Sequence, residues 1–335
     1  MFKPKLIISI LVVILLVVGA YFLFSEKKRE EEVYRVGILS GLVFAKDATD
    51  GFKDGMAELG YIEGKNIIYD VQKTDFDMAA YREVLQGFIE DKIDLIFVYP
   101  TEASQEAKVA AEGTGIPVVF SVANIEDTGL VESITRPGGN ITGVRYPGPD
   151  IALQRFELIR ELAPEVKRIL IPYQKGYPIV PSQLEILYPE AEAVGVTLIE
   201  LPADDAAEVA ESLQKYVTPE GKVTIDAILI IPEPLGVTVE PFRELACFAK
   251  EHKIPIGGAL MTVDGCSSLF DIGINHYKTG RQAAPLANKV LEGTPAGSIM
   301  VISSETFLKF NYKLAQEIGM TVPEGVLERA VEIIR

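Results

Sequence analysis

Few side chains in this sequence are able to do chemistry. Two histidines, His252 and His276, and two cysteines, Cys247 and Cys266, are too few and too scattered for a zinc or iron-sulfur constellation. The run Thr262-Val263-Asp264-Gly265-Cys266-Ser267 has residue types found in nucleophilic sites. It lacks a positioned base, since the nearest histidine in sequence is His276, at an expected helix start. No phosphate-cradling GxxxxGKS/T or GxGxxG loop follows a strand, and Gly138-Gly139 precedes one. The expectation is a chain with no catalytic residues, no metal and no cofactor, and not an enzyme.

What remains are groups suited to holding a small polar organic molecule. Thr101 opens the helical pattern Glu102-Ala103-Ser104-Gln105-Glu106-Ala107, where a hydroxyl and free backbone N–H groups can hold a carboxylate. Glu233, an isolated acid between Pro232 and Pro234, can pair with an amine. Asn124 can both donate and accept, and the rings of Phe44 and Tyr173 can sandwich a planar group. Each has a purely structural alternative: a helix cap for Thr101, a solvated loop charge for Glu233, a local turn for Asn124 and burial within one lobe for the rings.

The elements that must position these groups alternate. Short β-branched runs at Val36 to Leu39, Asn66 to Val71 and Leu95 to Tyr99 are interleaved with helical stretches at Asp50 to Leu59 and Ala79 to Glu90. Such alternation predicts parallel sheets covered by helices on both faces. Glycines after Leu59 and Val194 mark helix ends. A weak duplication organises the whole: Ile93-Asp94-Leu95-Ile96-Phe97-Val98-Tyr99-Pro100 returns in character as Ile225-Asp226-Ala227-Ile228-Leu229-Ile230-Ile231-Pro232. Each is followed by a helix and an Ile-Pro strand start, at Ile116-Pro117 and Ile254-Pro255. This predicts two similar doubly wound lobes, with the first crossover near Tyr146 inside the turn-rich Tyr146-Pro147-Gly148-Pro149.

The pieces Gly51-Phe52, Glu58-Leu59-Gly60-Tyr61, Glu63-Gly64-Lys65-Asn66, Asp94-Leu95-Ile96 and Ile116-Pro117-Val118-Val119-Phe120 occur in that order. They continue with Gly129-Leu130-Val131, Pro137 to Gly143, Tyr277 with Gly280-Arg281, and Asn311 with Ala315 and Gly319. As an ordered set spanning Val33 to Arg335, they resemble the substrate-binding proteins of ABC importers, in the family that includes tryptophan- and tyrosine-uptake binding proteins. The resemblance implies a type I periplasmic-binding fold, two lobes joined by a multi-strand hinge. It also implies extracytoplasmic capture of a small solute, an amino acid and an aromatic one in particular, by a monomer that delivers it to an ABC permease and, through it, an ATPase. One departure stands out: the family's Asp-Pro pair after the Ile-Pro strand aligns with Asn124-Ile125 here, so an acid is lost.

In such sheets ligands bind beyond the carboxyl ends of the strands, so the expected site is the cleft between two facing lobes. From the first lobe it would draw Ser40, Gly41, Leu42, Phe44, Thr101, Ser121 and Asn124. Tyr146 at the crossover and Tyr173, Glu233 and Gly258 from the second lobe complete it. The expected division is 33–145 plus about 262–298 for the first lobe and 146–261 plus about 299–335 for the second, after a leader at 1–32.

That leader holds the apolar run Leu6 to Phe24, preceded by Lys3 and Lys5 and followed by Lys27, Lys28 and Arg29. Its length favours an uncleaved anchor over a signal peptide cut at Val18-Gly19-Ala20, and the competing charges leave its orientation open. With no cysteine after the run, a lipidated terminus is excluded, and an exported chain permits a bridge between Cys247 and Cys266. The net charge of −16 offers no basic surface for nucleic acid. Two other classes stay in view: a membrane-anchored ligand sensor and a membrane-anchored α/β enzyme.

Overall fold

The computed structural model describes residues 33–335, so the expectations about Leu6 to Phe24 fall outside it. Among the described residues no helix is long and apolar enough to cross a membrane. The first lobe is built on β1 (Tyr34–Ser40), β2 (Ile67–Lys73), β3 (Leu95–Tyr99), β4 (Val118–Ala123) and β5 (Ile141–Arg145). Helices α1 (Asp47–Glu58), α2 (Met78–Glu90) and α3 (Thr101–Ala110) intervene. Alternation along β3 shows why the sheet is covered twice: Leu95, Phe97 and Tyr99 enter the core on one face, Ile96 and Val98 the core on the other.

After β5 the chain crosses to α4 (Gly148–Leu162), β6 (Arg168–Gln174), α5 (Val180–Ala193), β7 (Thr197–Ala203) and α6 (Ala206–Gln214). Strand β8 (Ala227–Leu229), α7 (Val239–His252), β9 (Ile256–Gly257) and the hairpin β10 (Thr262–Val263) and β11 (Cys266–Ser267) follow. The last part comprises β12 (Phe270–Ile274), α8 (His276–Leu291), β13 (Ile302–Ser303), β14 (Thr306–Asn311), α9 (Tyr312–Glu317), α10 (Glu324–Arg329) and β15 (Ala330–Ile334).

The two principal sheets run β13-β5-β4-β3-β1-β2 and β7-β6-β8-β9, parallel throughout. The order β2-β1-β3-β4 in one matches β7-β6-β8-β9 in the other, so the duplicated sequence motif lies on equivalent strands β3 and β8. The fold is thus two doubly wound α/β lobes of the type I periplasmic-binding kind, with a third sheet, β12-β14-β15, beside the second.

The later crossings differ from the expected division. Residues 262–274 stay with the second lobe: a Cys247–Cys266 disulfide ties β11 to α7, Gly258 bridges to Asp271, and Phe270 and Ile272 enter the core shared with α4 and α5. Residues 299–303 stay with the first, because β13 pairs with β5 and Thr142 Oγ1 donates to the Ile299 carbonyl at 2.8 Å. Helix α8 returns to the first lobe against α1 at glycine contacts. A Cβ on Gly51 would lie 1.9 Å from the Tyr277 carbonyl oxygen and one on Gly280 2.0 Å from that of Ala48, so neither position admits a side chain.

Candidate functional site

At the carboxyl end of β1 the predicted residues serve the frame of the first lobe. Ser40 Oγ accepts from the Tyr99 hydroxyl at 2.7 Å. The Gly41 carbonyl accepts from Tyr81 at 2.6 Å, and a Cβ on Gly41 would approach the Tyr99 carbonyl oxygen to 2.7 Å. Leu42 belongs to the core under α1, where an apolar side chain in this register must go, rather than to the cleft. Phe44 is 66% exposed, and its ring neighbours His276, with centroids 5.7 Å apart.

The ends of β3 and β4 behave differently. Thr101 is the first residue of α3, and its buried hydroxyl accepts from the Asn124 amide N–H at 3.0 Å. This fixes the two loops together. Asn124 itself is buried, and its Oδ1 has no hydrogen-bond partner within the chain; the same holds for Oγ of fully buried Ser121. Between them Val122 has φ +51°, where a β-branched residue is strained, and the β4–β5 register shifts across this segment. Buried polar atoms without partners and a strained backbone at a strand end commonly mark a functional surface.

The residue following Thr101 completes this wall. Glu102, half-buried in the first turn of α3, lies against its own backbone N–H and meets the Tyr177 hydroxyl, which comes from the loop after β6 in the other lobe. Burial pushes the Glu102 carboxyl above its ordinary range, against the lowering effect of those two donors. Tyr177 is raised by burial and then by the charges of Glu102 and Glu233, and it lies near Tyr146 at the crossover. The two lobes therefore meet at Glu102 and Tyr177, with Tyr146 alongside.

On the second lobe, Glu233 is 6% exposed and turned into its own loop. Oε2 accepts from the N–H groups of Gln174 at 2.8 Å and Leu235 at 3.0 Å, and Oε1 from that of Gly236 at 2.8 Å. Burial raises its pKa while these three donors oppose the shift. Tyr173 directs its hydroxyl to Glu200 on β7, which also takes that of Tyr188 on α5, so this hydroxyl is engaged within its own lobe. Gly258 has φ +122°, and a Cβ there would lie 2.0 Å from the Ile230 carbonyl oxygen. Its role is close backbone approach, which only glycine permits.

Beneath the second-lobe wall runs a buried guanidinium. Arg155 donates to the carbonyls of Ile272 at 2.9 Å and Ile230 at 3.0 Å, and to Asp271 Oδ1 at 3.1 Å. Burial raises the Asp271 carboxyl, and Arg155 offsets part of that shift. The same pair brackets Tyr146, whose hydroxyl is raised mainly by burial. Buried Gln183 on α5 donates to the Pro232 carbonyl at 2.8 Å and leaves its Oε1 without a partner.

Sequence reasoning did not single out Glu102, Tyr177, Gln183, Arg155 or Asp271 as site residues. An acid in the first turn of a helix reads as a complement to the helix dipole. Tyr177 gave one usable signal, the turn former Gly176 before it, which adopts φ +68°. The remaining three lie within periodic stretches where their burial has no sequence signature.

Residues 43–334 match the family described as ABC transporter substrate binding protein. A tyrosine-binding protein of Clostridioides difficile (strain R20291) is 30% identical over 276 residues, 82% of this chain and 76% of that protein. A solved ABC domain from Streptococcus pneumonia in complex with L-Trp is 25% identical with a TM-score of 0.72, over 90% of this chain and 100% of that one. A conserved domain protein from Vibrio cholerae matches at 26% identity and TM-score 0.72 over the same shares.

Proposed function

The chain belongs to the family of ABC transporter substrate-binding proteins, and from that premise we propose that it captures an amino acid, aromatic ones foremost, between its lobes and presents it to a permease driven by an ATPase. The relatives supply the substrate class: one is named for binding tyrosine and another was solved with L-Trp. The observation that carries the reading is the first-lobe wall, where Ser121 Oγ and Asn124 Oδ1 are buried without partners beside the α3 N-terminus. Unpaired buried polar atoms are costly, and a polar ligand closing on them recovers that cost. ABC substrate-binding proteins work outside the cytoplasm, and the Cys247–Cys266 disulfide suits an oxidising compartment. Retention at the membrane surface by Leu6 to Phe24 completes the proposal.

Thermal unfolding of the full chain, extracted in mild detergent, against the twenty common amino acids tests this reading. A ligand at one hundred times its Kd stabilises the folded state by about 2.7 kcal/mol. Tyrosine, tryptophan or phenylalanine should raise the unfolding temperature most. No shift with any amino acid rejects the substrate class.

A further inference from the structure

The geometry points to Glu102 as the residue that binds the ligand's ammonium group, with the Asn124 side-chain oxygen as its neutral companion. The inference rests on the proposed amino-acid ligand and asks which acid in the cleft is free to meet it.

Of the carboxylates around the junction of the lobes, Glu126 and Asp150 are both paired with Arg145 beside the crossover, which leaves Glu102, Glu233 and Asp271. Both oxygens of Glu233 are occupied by three backbone N–H groups that shape the turn after β8. Asp271 is paired with the buried guanidinium of Arg155. Glu102 has neither arrangement. Among the described residues no lysine, arginine or histidine forms an ion pair with it, and its facing partner from the other lobe is the neutral Tyr177 hydroxyl. A desolvated carboxylate without a cation is unfavourable, and a ligand ammonium supplies one.

The surroundings have the same polarity. Asn124 is tied to the start of α3 through Thr101 Oγ1, and its unpartnered Oδ1 can only accept a hydrogen bond. Ser121 Oγ, also unpartnered, can accept as well. An ammonium group has three donors and no acceptor, so an acid with two open acceptor positions beside it suits it. A carboxylate at the same place would meet Glu102 as a like charge, so the helix N-terminus expected to hold the ligand's carboxylate instead carries the chain's own. The replacement of the family's aspartate by Asn124 then has a counterpart: a negative charge is supplied by Glu102 in the first turn of α3.

Calorimetry of the full chain with L-tyrosine, L-phenylalanine and L-tryptophan, on wild type, Glu102→Gln and Glu233→Gln, tests the assignment, with thermal unfolding of each protein alongside. Glu102→Gln should weaken binding at least one-hundredfold while unfolding at or above the wild-type temperature. Equal affinity in wild type and Glu102→Gln overturns the assignment, and so does a loss accompanied by a matching fall in unfolding temperature, which marks a structural role. A loss confined to Glu233→Gln overturns it in favour of the second lobe. If the wild type binds none of the three amino acids, the substrate class proposed above fails, and tyramine and tryptamine decide the role of Glu102. Binding of either amine to wild type and not to Glu102→Gln sustains it; no binding of either to wild type overturns it.

Discussion

The two lobes repeat one strand and put it to different use. Strands β3 and β8 occupy equivalent places in their sheets, each preceded by an aspartate whose carboxylate accepts backbone N–H groups at the start of the neighbouring strand. Each strand runs into a proline, Pro100 or Pro232, and a glutamate follows within two residues. There the likeness ends. Glu233 turns back and is consumed by three N–H groups of its own lobe, whereas Glu102 begins a helix and faces Tyr177 across the junction. Under the proposed assignment, what separates the two acids is how many backbone donors each one satisfies. Their position after a strand does not separate them.

Breaking the disulfide tests that difference most severely, because the Cys247–Cys266 link exists only in the second lobe. It closes a loop of sequence separation 19, for which chain-entropy arguments give about 3 kcal/mol of stabilisation. Reduction, or Cys247→Ser with Cys266→Ser, should raise hydrogen exchange through α7 and the β10–β11 hairpin and leave α1 and α8 protected. Equal loss of protection in both lobes would show that they unfold as one unit. The bridge also removes the Cys266 thiol from the nucleophile reading of the 262–267 run.

The two glutamates should then separate under alanine substitution. Glu233→Ala strands three buried donors and should cost about 2 kcal/mol or more, read as a lower denaturant midpoint at unchanged slope. Glu102→Ala removes a desolvated charge with no ion pair and should move the midpoint by less than about 0.5 kcal/mol, or raise it. Similar costs at both positions would erase the distinction.

A further separation is available through pH. Glu102 must be ionised to hold an ammonium group, and its carboxyl is raised by burial. Affinity should therefore be constant above that raised value and fall about tenfold per pH unit, about 1.4 kcal/mol, below it. The decline should begin at a higher pH than an ordinary glutamate would give. Tyr81, Tyr146 and Tyr177, the phenols facing this region, stay neutral across the range, while burial also raises Glu233 and Asp271. Because Glu233 and Asp271 are present in both proteins, subtracting the profile of Glu102→Gln isolates Glu102. A residual pH dependence in Glu102→Gln equal to that of wild type would take the effect away from Glu102 and give it to the second-lobe acids.

The fold was largely legible in the sequence because its signals are local and periodic. The runs Val36 to Leu39 and Leu95 to Tyr99 fall within β1 and β3, and the glycines expected to end helices sit at φ +94° (Gly60) and φ +67° (Gly195). The lobe boundaries after residue 261 were less legible, since two-residue strands such as β10, β11 and β13 have no periodicity to detect. For the proposed site only positions in the chain could be read: Thr101, Asn124 and Tyr146 follow the ends of β3, β4 and β5, and Ser121 lies inside β4. The orientation of Glu233, the use of Tyr173 on Glu200 and the reach of Tyr177 depend on loop geometry and on the other lobe. None of these is written in neighbouring residues.

The mildest perturbation addresses the shared feature itself, the aspartate that opens the duplicated motif. Asp94 Oδ2 accepts one amide N–H, from Arg35, at 2.7 Å. Asp226 Oδ2 accepts two, from Lys167 at 2.9 Å and Arg168 at 2.8 Å. These bonds lie near the surface, where a hydrogen bond to a charged acceptor keeps only part of its strength because water competes for both partners. In each lobe the first strand's amide group is held by the aspartate while its carbonyl accepts from the aspartate's own N–H, at 2.8 Å from Asp94 to Arg35 and 2.8 Å from Asp226 to Arg168. Substitution by alanine leaves that second bond intact and removes only the carboxylate's contribution. Asp94→Ala should then cost about 0.5 kcal/mol and Asp226→Ala about 1 kcal/mol, in proportion to the donors released, with ligand affinity unchanged because both sit at the amino ends of their strands, away from the cleft. Denaturant midpoints of the two variants measure the ratio. If Asp94→Ala proves the costlier, the two copies of the motif carry unequal loads for a reason other than their hydrogen bonds, and the symmetry between the lobes is one of sequence pattern without equivalent energetics.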